Sequence, residues 1–294
     1  MDEASIERAI AGVTKMSEMA RRDMFEPEAL RGNDNTLWET MGSSIRALSL
    51  RYVKSDLPIR YFEAEIHDTW YLFARAAQSI DADHPAQDRL VRLILWAKEL
   101  GTLQRAQDGE SQTAVTSQGR IWSDLPFFVP DVQQAWKTVI SEPAPPSYRY
   151  NLAAGIARLA SIRVCSDAFA HCGLEVMREA LEIPREPLSF ASHVEFQILQ
   201  VWIRYAGDQL LRLSLAGSPA DGRRAWALDP NGPPIGPLAQ QAGINQEGFS
   251  RARFVFWKER LTALKMEPKD EIVVVSECAN MIAWIWECYF GLRE

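Results

Sequence analysis

Histidine and cysteine are both scarce here, with four of each among 294 residues. The histidines stand at 67, 84, 171 and 193, and none sits in His-Glu-x-x-His or Glu-x-x-His spacing. Zincin and ferritin-like metal sites therefore lack their usual ligands. Adjacent aspartates are missing too, which removes the Asp-rich metal motif of ionisation-type terpene cyclases. There is no Cys-x-x-Cys, no glycine-rich phosphate loop and no Gly-x-Ser-x-Gly elbow. Cys165, Cys172, Cys278 and Cys288 are too dispersed for a disulfide framework and read as small core residues of a reducing compartment. Neither a metal nor a cofactor is expected.

An excess of basic residues is also lacking. Lysine and arginine number 32 against 39 acidic residues, for a net charge of −7 and a pI near 5.3. Such a balance argues against a nucleic-acid or anionic-membrane partner. The greasiest stretch, Val273 to Phe290, is broken by Glu277, Asn280 and Glu287, so no membrane span is expected. The first residues, Met1 to Ser5, are acidic and show no signal-peptide pattern, which points to the cytoplasm.

What is present is helical periodicity. Trp38, Met41, Ile45, Leu48 and Tyr52 recur at spacings of three and four. So do Ile59, Phe62, Ile66, Phe73, Ala77 and Ile80, defining a helix over 58–80. A long apolar helix over 190–217, carrying Ile198, Leu199, Val201, Trp202, Ile203 and Tyr205, should be central. The helix after Asp83, an N-cap candidate, runs to about Arg105, and Gln107–Gln118 reads as a polar loop. No period-two alternation survives beyond a few residues. The expectation is an all-α chain of about nine or ten helices in a single domain, 1–294. A sub-boundary is allowed near 141–147, where Ser141-Glu142-Pro143-Ala144-Pro145-Pro146 breaks the pattern. The segment 218–246, rich in proline and glycine, is long for a connection and reads as a lid or a partner-binding loop.

Two polar constellations stand out on the helices. His67 lies at the edge of its helix's apolar stripe, with Glu63 one turn before it and Trp70 and Tyr71 one turn after. A carboxylate-held imidazole beside aromatics is what general acid–base catalysis uses. The same spacing also suits a half-buried histidine with a purely structural bond to Glu63. Arg204 and Asp208 form an i, i+4 pair on the apolar central helix, which places them either in a cavity or on a narrow solvent strip. Among ten tryptophans, Trp202, Trp226 and Trp284, with Trp70, Tyr71 and Tyr205, are the candidates to wall an apolar cavity. Such a cavity is expected between the 58–80 and 190–217 helices, with His67 facing it.

Several stretches resemble segments of a fungal family known only as a domain of unknown function. They are His84-Pro85-Ala86-Gln87-Asp88-Arg89-Leu90-Val91, Ile121-Trp122-Ser123-Asp124-Leu125-Pro126, and Tyr150-Asn151-Leu152-Ala153-Ala154-Gly155-Ile156-Ala157-Arg158-Leu159. Met177-Arg178-Glu179-Ala180-Leu181-Glu182 and the run from Gly248 to Arg260 belong with them. The order of these motifs covers most of the chain from about residue 36, with Tyr150 standing where a tryptophan is expected. The resemblance implies a fungal, cytosolic, helical protein of a kind recruited into secondary-metabolite pathways, and no activity is carried over with it.

Two functions fit these observations. One is a cofactor-independent tailoring enzyme of fungal secondary metabolism. It would cyclise or isomerise an apolar terpenoid- or polyketide-like substrate, pericyclic closure included. His67, Glu63, Arg204 and Asp208 would supply its polar groups, and a homodimer is compatible with it. The other is a non-catalytic helical interaction or scaffold protein, docking a partner through 218–246 or the C-terminal helix.

Overall fold

The computed structural model describes residues 3–23, 34–107, 109–141, 143–184, 190–216, 233–266 and 273–291. The chain is all-α, with two small hairpins as its strands among the described residues. It divides into two units, Met1–Gly155 and Ile156–Glu294, which are taken in turn.

The first unit contains α1 (Glu3–Asp23), α2 (Asp34–Lys54), a 3-10 turn (Ile59–Phe62), α3 (Glu63–Ser79), α4 (Ala86–Glu99) and α5 (Phe128–Ser141). The helix expected over 58–80 thus begins as a 3-10 turn and continues as α3. α3 is the hub, packed by α1, α2, α4 and α5. Its stripe of Ile66, Trp70, Phe73 and Ala77 is fully buried. Trp70 meets Phe128 at 4.8 Å and the edge of Trp122 at 6.1 Å, and its Nε1 donates to the Pro126 carbonyl at 2.7 Å. A buried indole N–H needs such an acceptor.

Between α4 and α5 the chain forms two hairpins, β1 (Gln104–Gln107) with β2 (Glu110–Thr113) and β3 (Val115–Thr116) with β4 (Gly119–Arg120). These replace both the end of the helix expected to reach Arg105 and the polar loop expected after it. The sequence signal was an Asp-Gly dipeptide at 108–109, a type favoured in tight hairpins, and Gly109 has φ +83°. Arg105 sits buried in β1, donates to the Ser55 and Leu57 carbonyls and lies 4.6 Å over the Tyr52 ring. It thereby ties the hairpin to the chain just after α2.

Buried amides join α3, α4 and the start of α6 (Pro146–Ser161). Gln87 Nε2 donates to the Ala77 and Ile80 carbonyls, while Asn151 accepts from Ala82 N–H and donates to the Gln78 carbonyl. α4 starts at Ala86, three residues after Asp83, where the His84 imidazole accepts from the Ala86 N–H.

The second unit holds the remainder of α6, α7 (Ala170–Leu181), α8 (Phe190–Ala216), α9 (Pro237–Gln241), α10 (Arg251–Lys265) and α11 (Val273–Phe290). α6 and α7 are separate helices, joined by turns in which Arg163 and Ser166 adopt left-handed φ. α8 contacts α7, α10 and α11. Glycines set the closeness: a Cβ on Gly173 would lie 2.7 Å from the Trp202 ring, and one on Gly207 would lie 2.4 Å from Ile285 Cδ1. No helix among the described residues is long and apolar enough to cross a membrane.

Candidate functional site

Beside its core face α3 carries a second, more polar stripe, His67, Tyr71, Ala74, Arg75 and Gln78, at spacings of three and four, with Ala74 and Gln78 themselves buried. This stripe floors a cavity of about 750 Å³ in the first unit, open to solvent on one side. Glu18 and Arg21 of α1 form one wall, and Asp131, Gln134, Ala135, Thr138 and Val139 of α5 form the other. Pro143, Ala144, Pro145 and Tyr148 close the far end.

His67 is half-buried, and its Nδ1 lies 2.7 Å from Asp131 Oδ2. Asp131 sits in the first turn of α5, where the helix dipole favours a carboxylate. Phe127 covers the imidazole with a ring-centroid distance of 4.4 Å. Phe127 has φ +65°, and Trp122 and Leu125 just before it are left-handed as well. Three buried non-glycine residues in that region within six positions amount to local backbone strain. Surrounding packing must hold these conformations in place, and Phe127 lies against the ring immediately before α5 begins. With Nδ1 held, Nε2 has no hydrogen-bond partner among the described residues.

Opposite Asp131, Arg21 is fixed against the same turn of α3. Its Nε lies 2.8 Å from Asp68 Oδ1, its Nη2 donates to Ser17 Oγ at 3.0 Å, and its backbone carbonyl accepts from the Tyr71 hydroxyl at 2.7 Å. Ser17 Oγ in turn donates to Asp68 Oδ1.

The residues picked out from the sequence are distributed as follows. His67 and Tyr71 line the cavity. Trp70 belongs to the core beneath it. Glu63 is close enough to His67 to interact electrostatically, and it also accepts from the Ser117 N–H; burial raises its carboxyl above the usual glutamate range. The carboxylate on His67 Nδ1, however, is Asp131, 64 positions along the chain. Helical spacing finds partners on one helix and gives no sign of one on another.

Arg204 and Asp208 are both exposed on α8. Trp202 is fully buried against Gly173, and Tyr205 lies 3.7 Å beneath the Arg158 guanidinium. Trp284 is 63% exposed on α11. These five belong to the second unit, and the cavity is lined by the first. Trp226 lies outside the described residues, as do 218–232 of the segment read as a lid or a partner-binding loop; residues 233–246 are described and include α9. Among the described residues no three His, Cys, Asp or Glu side chains converge as a metal site.

Comparison with known proteins places this framework. Residues 70–261 match the family model described as protein of unknown function (DUF3632), which is more than half of the chain. The chain belongs to this family. The match begins three residues after His67 and takes in Tyr71 and Asp131. The chain is also 28% identical over 232 residues to "Oxopyrrolidines biosynthesis cluster protein G" of Penicillium oxalicum (strain 114-2 / CGMCC 5302), a fungal protein of a biosynthesis cluster. That alignment covers 71% of this chain and 61% of the relative, so the chain spans under two thirds of the relative's length. No solved structure matches.

Proposed function

We propose that the protein is a tailoring enzyme of fungal secondary metabolism that isomerises or cyclises a polyketide- or terpenoid-like substrate by proton transfer at His67. The observation that carries this reading is the His67–Asp131 pair, with Nδ1 held at 2.7 Å and Nε2 unpartnered in a cavity of small-molecule size. A carboxylate on Nδ1 fixes the tautomer and orientation, leaving Nε2 to accept a proton and return it elsewhere on the same molecule. Such a step needs no cofactor, because nothing is oxidised or reduced. The relative's place in a biosynthesis cluster supports the pathway context. The cavity's polar lining, with Arg21, Arg75, Gln78 and Gln134, suits a substrate that carries oxygen functions on an apolar frame.

The test compares metabolite extracts of the native host carrying wild type, His67→Ala or a full deletion. His67→Ala should lower turnover by about 10²–10⁴-fold. A compound with the same molecular formula as the lost product should accumulate, since isomerisation conserves mass. A full product level with His67→Ala, alongside product loss on deletion, would overturn the proton-transfer reading. It would favour the interaction protein instead, for which the exposed Trp284 of α11 is the natural contact.

A further inference from the structure

The geometry points to Arg21 as a second catalytic group, an anion-binding guanidinium that stabilises the enolate His67 generates from a carbonyl substrate. This inference rests on the proton-transfer reading above and names the substrate class: a compound with an acidic C–H beside a carbonyl, such as a 1,3-dicarbonyl.

His67, Asp68 and Tyr71 lie within little more than one turn of α3, about 6 Å of helix. Asp68 and Tyr71 both hold Arg21, one through the guanidinium and one through its backbone carbonyl. Arg21 is therefore fastened to the turn that carries the imidazole, and both side chains line one cavity. Ser17 accepts from Nη2, Asp68 faces Nε as an ion pair without making a hydrogen bond to it, and Nη1 has no hydrogen-bond partner among the described residues. The side chain is three-quarters buried, and its guanidinium is held before any ligand arrives by the Nη2–Ser17 hydrogen bond and by the Asp68 charge beside Nε. Donors fixed in advance at a point where negative charge develops are the main source of transition-state stabilisation.

The step balances without a co-reactant. His67 Nε2 takes the proton from the carbon beside the carbonyl. The C–H electron pair becomes the C=C bond of the enolate, and the charge moves to the oxygen beside Arg21. The imidazolium returns its proton at another carbon, completing an isomerisation. Alternatively the enolate carbon closes on an internal carbonyl, and the proton goes to the new alkoxide.

The experiment uses the purified full chain and two probes. Binding of the 1,3-cyclohexanedione enolate is read by calorimetry and by 15N shifts of the His67 imidazole. C–H/C–D exchange of ethyl acetoacetate in heavy water is read by NMR. Wild type should bind the enolate and speed the exchange. Arg21→Gln should weaken binding about 10- to 100-fold, the size of a lost charge-assisted hydrogen bond. Arg21→Lys keeps the charge facing Asp68 but loses the planar fork, and should fall between the two. It carries the test if Arg21→Gln does not fold. His67→Gln should retain enolate binding and lose the exchange. Equal affinity in wild type and Arg21→Gln, or no binding to wild type, would overturn the role of Arg21. Exchange that survives in His67→Gln, with binding still dependent on Arg21, would uphold the anion site and remove the proton-transfer reading.

Discussion

Glu182 and Arg253, 71 positions apart, face each other with both side chains fully buried, Nε to Oε1 at 2.6 Å and Nη2 to Oε2 at 2.9 Å. The carboxylate also accepts from Trp257 Nε1 and Gly236 N–H, both at 2.7 Å, and Arg253 Nη1 donates to the Gly248 carbonyl. One carboxylate thus fastens the end of α7 to α10 and to the stretch of chain entering α9. Gly236 permits it: a Cβ there would stand 2.4 Å from Glu182 Cβ.

Removing one partner leaves the other charged and dry. Arg253→Met and Glu182→Gln should each destabilise the protein by about 3–5 kcal/mol, the cost of an uncompensated buried charge or its orphaned donors. Urea unfolding followed by tryptophan fluorescence measures it. A loss below about 1 kcal/mol in both variants, the range of a solvent-exposed pair, would show that water or rearrangement satisfies the survivor.

Helical spacing alone made the all-α class legible, because the apolar stripes of α2, α3 and α8 repeat at three and four positions. The hairpins were not legible as strands, since β1 and β2 are short, mostly exposed and polar on both faces. Within the candidate site, His67 and Tyr71 could be read from the stripe of α3. Asp131 and Arg21 could not, because each comes from another helix, and only tertiary packing sets them on either side of His67. The motifs that carry the family resemblance tell a related story. Gln87, Asn151, Trp122, Glu182 and Arg253 all make buried ties, so those stretches encode the fold more than the chemistry.

The β3–β4 hairpin should respond to acid. Asp124 accepts from Arg120 N–H, Nε and Nη2, and these bonds lower its carboxyl from 3.8 to about 2. The unfolded chain binds that proton first, so the contribution is complete above pH 3.8 and is lost as pH falls through about 2. Protection of the Arg120 amide from hydrogen exchange should therefore drop across that window in wild type. In Asp124→Asn the protection should be lower at neutral pH and flat across the same range. An identical acid response in both proteins would assign it to other carboxylates.

Cys278 should be inert while the protein is folded. Burial, and then the neighbouring Glu277 charge, pushes its thiol up to about 12. At about pH 8 only about one molecule in ten thousand would carry the thiolate that alkylating agents require. Peptide mass spectrometry after iodoacetamide treatment should find Cys278 unmodified in native protein and labelled in urea. Native labelling as fast as that of the partly exposed Cys288 would mean that α11 opens readily from α8.

Asp131 offers the sharpest separation of catalysis from structure. In Asp131→Asn the side chain keeps its shape, but the amide cannot balance the charge of a protonated imidazole. If its NH₂ faces the ring, it also imposes the other tautomer, with the proton on Nε2. A base whose lone pair points at the substituted amide rather than at the substrate is misdirected, so turnover should fall by at least about 100-fold. The stability cost should be small, about 0.3–1 kcal/mol, because what is lost is one carboxylate in the first turn of α5. KM should change little, since the amide still fills the wall of the cavity. Steady-state kinetics on ethyl acetoacetate exchange, with thermal unfolding of the same sample, reads both quantities. A variant that loses several kcal/mol and keeps its rate per folded molecule would make the pair a structural tie between α3 and α5. A variant that keeps its stability and loses its rate places Asp131 behind the imidazole as the residue that aims it.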